Sequence, residues 1–272
     1  LTPLRVELGT LPRLRRLELG STWTNTNVSG SLPRLRAVIT VNDASCLGAV
    51  RLAQLTFLDV HDSSDLRPFF PPAPAPIFDS LTCLCVAGCR SLTDETLATI
   101  CMMRSLRQLD LSRCVSVTPA GFGPLKRLAS TLEQLVVSTA GAGGCYAPLK
   151  LLASLERLRC LTTDVGDHDA PNLDLLRSLP LLASLSVAFH SSVAAIVITA
   201  LGSLSGADGS SLRKVQLHAT TDDAPPPDID ASFSQFCASH RQLRWLELNH
   251  MGAALNDACL ACLGDTLIEL RC

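Results

Sequence analysis

The sequence predicts an α/β solenoid, in which short parallel strands stack side by side and a helix or loop carries each to the next. Three observations predict it. Leucine supplies 50 of the 272 residues while aromatic residues make up only 4%, a composition that suits a narrow layered core. The leucines fall into a frame L-x-x-L-x-L, clearest in Leu106-Arg107-Gln108-Leu109-Asp110-Leu111-Ser112-Arg113-Cys114. The frame returns from Leu14, Leu35, Leu55, Leu81, Leu106, Leu132, Leu155, Leu182, Leu212, Leu243 and Leu267, at intervals of 21, 20, 26, 25, 26, 23, 27, 30, 31 and 24 residues. One match is weak in a leucine-rich chain, but eleven in order are a repeat.

Within each unit, x-L-x-L-x alternates with period two, so its leucines share one face of a short strand and the x residues share the other. A single unit cannot bury its leucine face, whereas a stack of units builds one continuous core. The expectation is therefore a single domain over residues 1–272 with about eleven repeats. The position after each strand must turn the chain inward, which calls for a small residue able to satisfy or avoid nearby backbone groups. Cys89 and Cys114 stand there, with Ser63, Thr163 and Thr220 in other units.

The return segments read as helical where the spacing permits. Leu97 and Ile100 lie at helical spacing after Thr93, an N-cap residue, and Thr118-Pro119 is a second start signal with proline at the first helical position. Elsewhere Pro68-Phe69-Phe70-Pro71-Pro72-Ala73-Pro74-Ala75-Pro76, Ala224-Pro225-Pro226-Pro227 and Gly141-Ala142-Gly143-Gly144 replace helices by extended or flexible loops. Such loops read as outer spacers, and the one at 68–76 also as a docking segment for a proline-recognising domain.

The stretch from Leu81 to Val137 resembles the cysteine-containing subclass of leucine-rich repeats. Cys89-Arg90-Ser91-Leu92-Thr93-Asp94-Glu95-Thr96-Leu97 fits its C-x-x-L-T-D-x-x-L motif, and residues 251–260 are a degraded copy. The resemblance implies a right-handed horseshoe with its parallel sheet on the concave face and helices and loops on the convex side. The subclass is typical of F-box substrate adaptors of ubiquitin ligases, so it also implies an adaptor role, although no F-box-like segment is present.

Several function classes are disfavoured. Basic and acidic side chains number 23 and 25, so bulk charge gives no reason to expect a nucleic-acid partner. Arginine outnumbers lysine 20 to 3, which reads as coding bias because no arginine cluster is evident along the chain. The longest apolar stretch, Val193 to Leu204, is shorter than the roughly 20 residues that span a bilayer. The chain starts at Leu1 without a signal segment and reads as a fragment of a longer protein. Twelve cysteines in no short-loop framework suit a reducing, cytoplasmic setting, against the one secretory hint, the sequon Asn27-Val28-Ser29.

No phosphate-binding loop, nucleophile elbow or zinc-protease helix occurs. The histidines His61, His168, His190, His218, His240 and His250 stand singly, mostly at or just after strands, and read as solvated or capping residues. Cys259-Leu260-Ala261-Cys262 has zinc or redox spacing, but Leu260 and Leu263 align with the helix-core positions Leu97 and Ile100. That leaves the two thiols on the helix flank. No catalytic residue, metal site or cofactor is expected, and a small-molecule substrate is disfavoured.

The expected functional surface is the x face of the sheet. Its central positions read Glu18, Ile39, Asp59, Cys85, Asp110, Val136, Arg159, Ser186, Gln216, Glu247 and Arg271. Acidic and apolar residues alternate through the first six, which sets the acids about 10 Å apart across neighbouring strands. Arg157 and Arg159 then change the sign. Phe57 and Trp245 flank the central positions as ring anchors of the kind that dominate interfaces. The expected partner-binding set is Phe57, Asp59, Asp110, Arg157, Arg159, Trp245 and Glu247. The expected function is a non-catalytic scaffold for a protein partner, with the ubiquitin-ligase adaptor and a structural subunit of a large assembly as alternatives.

Overall fold

The structure, a computed structural model, describes residues 4–19, 26–40, 54–67, 69–70, 79–138, 147–166, 168–204, 212–220, 229–251 and 267–271. The glycine loop 141–144, the triple proline 225–227, most of the proline loop 68–76, the Cys259/Cys262 pair and the sequon's side chains lie outside what is described. The chain forms two compact units, Leu1–Leu132 with Ala142–Cys145 and Glu133–Gly141 with Tyr146–Cys272.

Unit 1 contains β1 (Leu4–Thr10), β2 (Arg16–Leu19), β3 (Thr26–Ser31), β4 (Ala37–Thr40), β5 (Phe57–Asp59), β6 (Cys83–Cys85), α1 (Asp94–Ile100) and β7 (Gln108–Asp110). The strands β2-β4-β5-β6-β7 lie side by side in that order, while β1 and β3 pair in parallel as a separate two-stranded sheet. The return after β2 is thus a strand, although only Thr26 and Val28 in it favour one. The parallel register places Leu17 beside Val38, Val38 beside Leu58, Leu58 beside Leu84 and Leu84 beside Leu109. From Val38 to Leu109 these are all buried, so the inward ladder is the one the repeat calls for.

One of the two helical expectations holds as made in this unit, and the other is altered. Thr93 caps α1, its hydroxyl accepting from the Thr96 N–H, and Leu97 and Ile100 are buried. The segment after Thr118-Pro119 winds as a 3-10 helix over Ala120–Leu128 instead of an α-helix. Pro119 precedes its first residue, and the Gly121 N–H donates to the Thr118 hydroxyl at 3.3 Å.

Unit 2 contains β8 (Gln134–Val137), α2 (Leu149–Leu152), β9 (Cys160–Val165), β10 (Ser184–Phe189), α3 (Ala194–Gly202), β11 (Lys214–Ala219), α4 (Ile229–Ser239), β12 (Trp245–Asn249) and β13 (Glu269–Arg271), with a 3-10 helix at Ala170–Ser178. Its six strands run parallel in sequence order. The apolar stretch from Val193 folds as α3, which packs on α4. A Cβ on Gly202 would stand 3.5 Å from the Phe236 Cα, an ordinary van der Waals contact, so the helix packing there does not require glycine. No helix of the described residues is long and apolar enough to cross a membrane.

The register corrects one repeat boundary. Leu161 stands beside Leu135 on one side and Leu185 on the other, so this unit begins at Leu158 and not Leu155, and its intervals become 26 and 24 residues. Two overlapping L-x-x-L spacings compete here, and the strand chooses the one that turns Leu161, Thr163 and Val165 inward. Arg159 therefore precedes the strand, and Thr162 takes the central outward position. Thr163 is a buried strand residue rather than the turn residue, and Gly166 falls at the position expected of it.

The fold is an α/β leucine-rich-repeat solenoid, with leucine ladders inside and a row-ordered outer face.

Candidate interaction surface

Turns set the limits of the outer face. After β5, β6 and β7 the equivalent residues Asp62, Gly88 and Arg113 adopt positive φ, at 55°, 69° and 57°. That left-handed step points the following residue inward. Cys89 and Cys114 are buried there, and their thiols donate to the Val60 and Val86 carbonyls, each at 3.1 Å. The small turn residue thus satisfies a backbone acceptor of the preceding strand. A Cβ on Gly88 would lie 1.9 Å from the Asp62 Oδ1, so the glycine also clears room for Asp62, which faces Arg113 at 3.4 Å.

On the open face of unit 1, Phe57 stands beside Ala37 and Cys83, with Gln108 next in that row. Asp59, Cys85 and Asp110 form the central row, which reproduces the expected alternation of acid and apolar residue. Each acid is held locally. Asp59 accepts from the His61 N–H at 3.1 Å and meets the His61 Nδ1 at 2.8 Å. Asp110 accepts from the Ser112 N–H at 2.8 Å and hydroxyl at 2.6 Å. Cys85 lies between the two acids, its Sγ 3.9 Å from Asp110. Burial first, and the flanking carboxylates in addition, push its thiol pKa far above the ordinary range. Cys85 is therefore a neutral thiol and a poor nucleophile.

On the open face of unit 2, Trp245 stands between Lys214 and Glu269, and Glu247 between Gln216 and Arg271. The Lys214 ammonium lies 3.5 Å from the centroid of the half-buried Trp245 ring, and the Arg271 guanidinium 5.5 Å from it. Glu247 accepts from the Asn249 and Gln216 amides, each at 2.9 Å. Those bonds hold its carboxyl below the usual carboxylate range, with Asn249 the larger cause. Glu269 is lowered in the same direction, mainly by Arg271, which bonds it at 2.6 Å.

Beyond this cluster lies a cleft of about 420 Å³ lined by Thr162, Ser186, Ala188, Gln216, His218 and His250 among others. The His218 and His250 rings meet edge to face at 5.2 Å. A neighbouring cleft contains Asp164, His168, Asp169 and His190. Ser138 donates to the Asp164 carboxylate at 2.6 Å. In that cleft the His190 Nδ1 meets the Ser192 hydroxyl at 2.9 Å, and no group of three metal-ligating side chains occurs among the described residues.

The histidines mostly follow expectation. His190 caps a short 3-10 turn through Ser192, while His240 departs from the pattern. It is buried at the end of α4 on the Phe236 ring, with its Nδ1 2.9 Å from the Phe236 carbonyl. Burial lowers its pKa, so it is a neutral core residue. The described cysteines carry free thiols.

The expected set is thus divided. Unit 1 holds Phe57, Asp59 and Asp110 on its outer face, and unit 2 holds Trp245 and Glu247. Arg157 and Arg159 are exposed but precede β9, so the expected change of sign along the central row does not occur there. Lys214, Asn249 and the His218–His250 pair were not among the expected residues. Lys214 occupies the same flanking position before Val215 that Trp245 occupies before Leu246, so reading that position in every unit would have found it.

No protein-family profile matches the chain, and neither does any curated protein. Among solved structures, the crystal structure of a TLR13–ssRNA13 complex matches with a TM-score of 0.41 at 18% identity, covering 88% of this chain and 37% of that one. The chain therefore spans little more than a third of that structure's length.

Proposed function

We propose that the chain is a non-catalytic interaction scaffold that holds a protein partner on the open face of its sheet. The observation that carries this is the Trp245–Glu247 cluster. An aromatic ring with a cation over one side, beside a carboxylate fixed by two amides, is a preorganised patch of the type that anchors interfaces. The polar rows around it serve no purpose in the core. Partners captured on the wild-type chain from native extract and identified by cross-linking should be lost from Trp245→Ala/Glu247→Lys, with an unchanged Tm. Equal capture at equal Tm would sink the assignment.

A second reading is the substrate-recognition part of a ubiquitin-ligase adaptor. The buried Cys89 and Cys114 thiols, each closing a turn onto the preceding strand, support it. A full-length reading frame with an F-box upstream of Leu1 would favour it, and one encoding an unrelated domain there would remove it.

A further inference from the structure

Some arginines far apart in sequence share one register position within each unit. The residue just before each strand is tied to its neighbours by a backbone ladder. In unit 1, Arg36 and Ala37 donate to Arg15, and Thr56 to Arg36. In unit 2, Arg159 donates to Glu133, Ala183 to Arg159, Arg213 to Ala183, Arg244 to Arg213 and Ile268 to Arg244. Arginine fills Arg15, Arg36, Arg107, Arg159, Arg213 and Arg244 of these positions. These are six of the chain's 20 arginines, so part of the excess recurs at one register position.

In unit 2 the edge presents four arginines at or near the strand starts. Arg157, Arg159, Arg213 and Arg244 are all exposed, and none is ion-paired to another described residue. Arg213 and Arg244 lie on adjacent strands, about 5 Å apart along the ladder, and Arg159 lies two strands from Arg213, about 10 Å. The next row inward contains Lys214 and Trp245. Guanidinium forks bind carboxylates as bidentate pairs, and the long arginine side chains can reach successive same-side residues, about 7 Å apart, of an extended chain laid along the ladder.

We propose that the strand-start edge of β9–β12 docks an extended acidic peptide segment of a protein partner, Arg159, Arg213 and Arg244 taking its carboxylates and Trp245 an adjacent apolar side chain. This rests on the interaction-scaffold reading and names the chemistry of the partner. A nucleic acid fits less well, because Glu133 stands in the same strand-start row and Glu156 beside Arg157 in sequence, where they interrupt the continuous positive row that a phosphate backbone needs.

The test is fluorescence anisotropy on the whole chain with a labelled 12-residue peptide carrying Glu at alternate positions around a central Leu. Comparison probes are the same peptide with Gln for Glu and a 12-nucleotide single-stranded RNA. The acidic peptide should bind at least tenfold more tightly than its Gln counterpart, and Arg213→Glu/Arg244→Glu should lose at least tenfold. Arg213→Gln/Arg244→Gln, which removes charge without reversing it, should lose somewhat less with unchanged circular dichroism. Arg90→Glu in unit 1 should change nothing. Equal binding of the two peptides, no response to either double variant, or tighter binding of RNA than of the acidic peptide would each overturn the proposal. If partner capture still depends on Trp245 and Glu247 in that event, the acidic-peptide assignment falls alone.

Discussion

Units 1 and 2 stack the same leucine ladder but end their strands differently. In unit 1, β5, β6 and β7 stop after three residues, and a left-handed residue turns the chain in at Asp62, Gly88 and Arg113. In unit 2, β9, β10 and β11 run for six residues. The same position there is occupied by Val165, Phe189 and Ala219, each in extended backbone and buried. Valine and phenylalanine pay a steric penalty in the left-handed region that glycine avoids, so the strand continues. The longer strands add an outward row with Asp164, Ala188 and His218, and the polar clefts of unit 2 form along it. One residue per repeat thus sets the width of the face. Nor is the difference absolute, since His250 after β12 returns to a positive φ of 56° and Met251 is buried behind it.

If the ladder is common to both units, breaking it should cost the same in each, and this is the largest effect expected. Leu84→Ala in β6 and Leu185→Ala in β10 each remove a side chain no more than 1% exposed. Each should cost about 2–5 kcal/mol in urea unfolding. A loss under about 1 kcal/mol at either site would show that its layer does not share in the core.

Alkaline pH should separate the units next. Burial pushes the Cys89 thiol up to about 11 and the Cys101 and Cys114 thiols up to about 12, all in unit 1. The native state holds these protons while the unfolded chain releases them above about pH 8.5. Their contribution is therefore complete below that value and is lost as pH rises toward 11–12. Between pH 9 and 11 the Tm should fall by several degrees. Alkylation by iodoacetamide should reach Cys89, Cys101 and Cys114 before Trp245 fluorescence changes in a Trp23→Phe background. Simultaneous change would mean that the thiols do not set the order of melting.

Gly88→Ala tests the turn itself. The new Cβ meets Asp62 and must accept positive φ, so a loss of about 1–2 kcal/mol is expected. The same change should also weaken the contact of Asp62 with Arg113, measurable as a smaller effect of Arg113→Ala in the Gly88→Ala background than in wild type.

The ladder was legible in the sequence because period-two leucines leave one arrangement that buries them all. The α1 cap was legible for a similar reason, since Thr93 and the Leu97/Ile100 spacing point the same way. Two things were not. The frame at Leu155 was ambiguous because leucines three apart, Leu155, Leu158 and Leu161, satisfy either choice, and only pairing with Leu135 and Leu185 decides it. The arginine edge was invisible because Arg159, Arg213 and Arg244 lie 54 and 31 residues apart in sequence and meet only through strand register. Trp245 and Glu247 could be read as outward residues, whereas Lys214 over the ring depends on the side chain's own direction.

Arg113→Gly is the smallest and most discriminating change, because it is expected to stabilise. Arg113 holds φ at 57°, a conformation that costs an L-residue roughly 1–2 kcal/mol and glycine little. Against this stands its contact with Asp62, which is exposed on both sides at 3.4 Å and worth roughly 0.2–1 kcal/mol. Glycine's greater freedom in the unfolded chain subtracts a further 0.4–1 kcal/mol or so. The balance is a gain of a few tenths of a kcal/mol, read as a small rise in the urea midpoint at unchanged slope. A clear loss would mean that the Asp62–Arg113 contact, rather than the backbone step alone, fixes how unit 1 ends its strands.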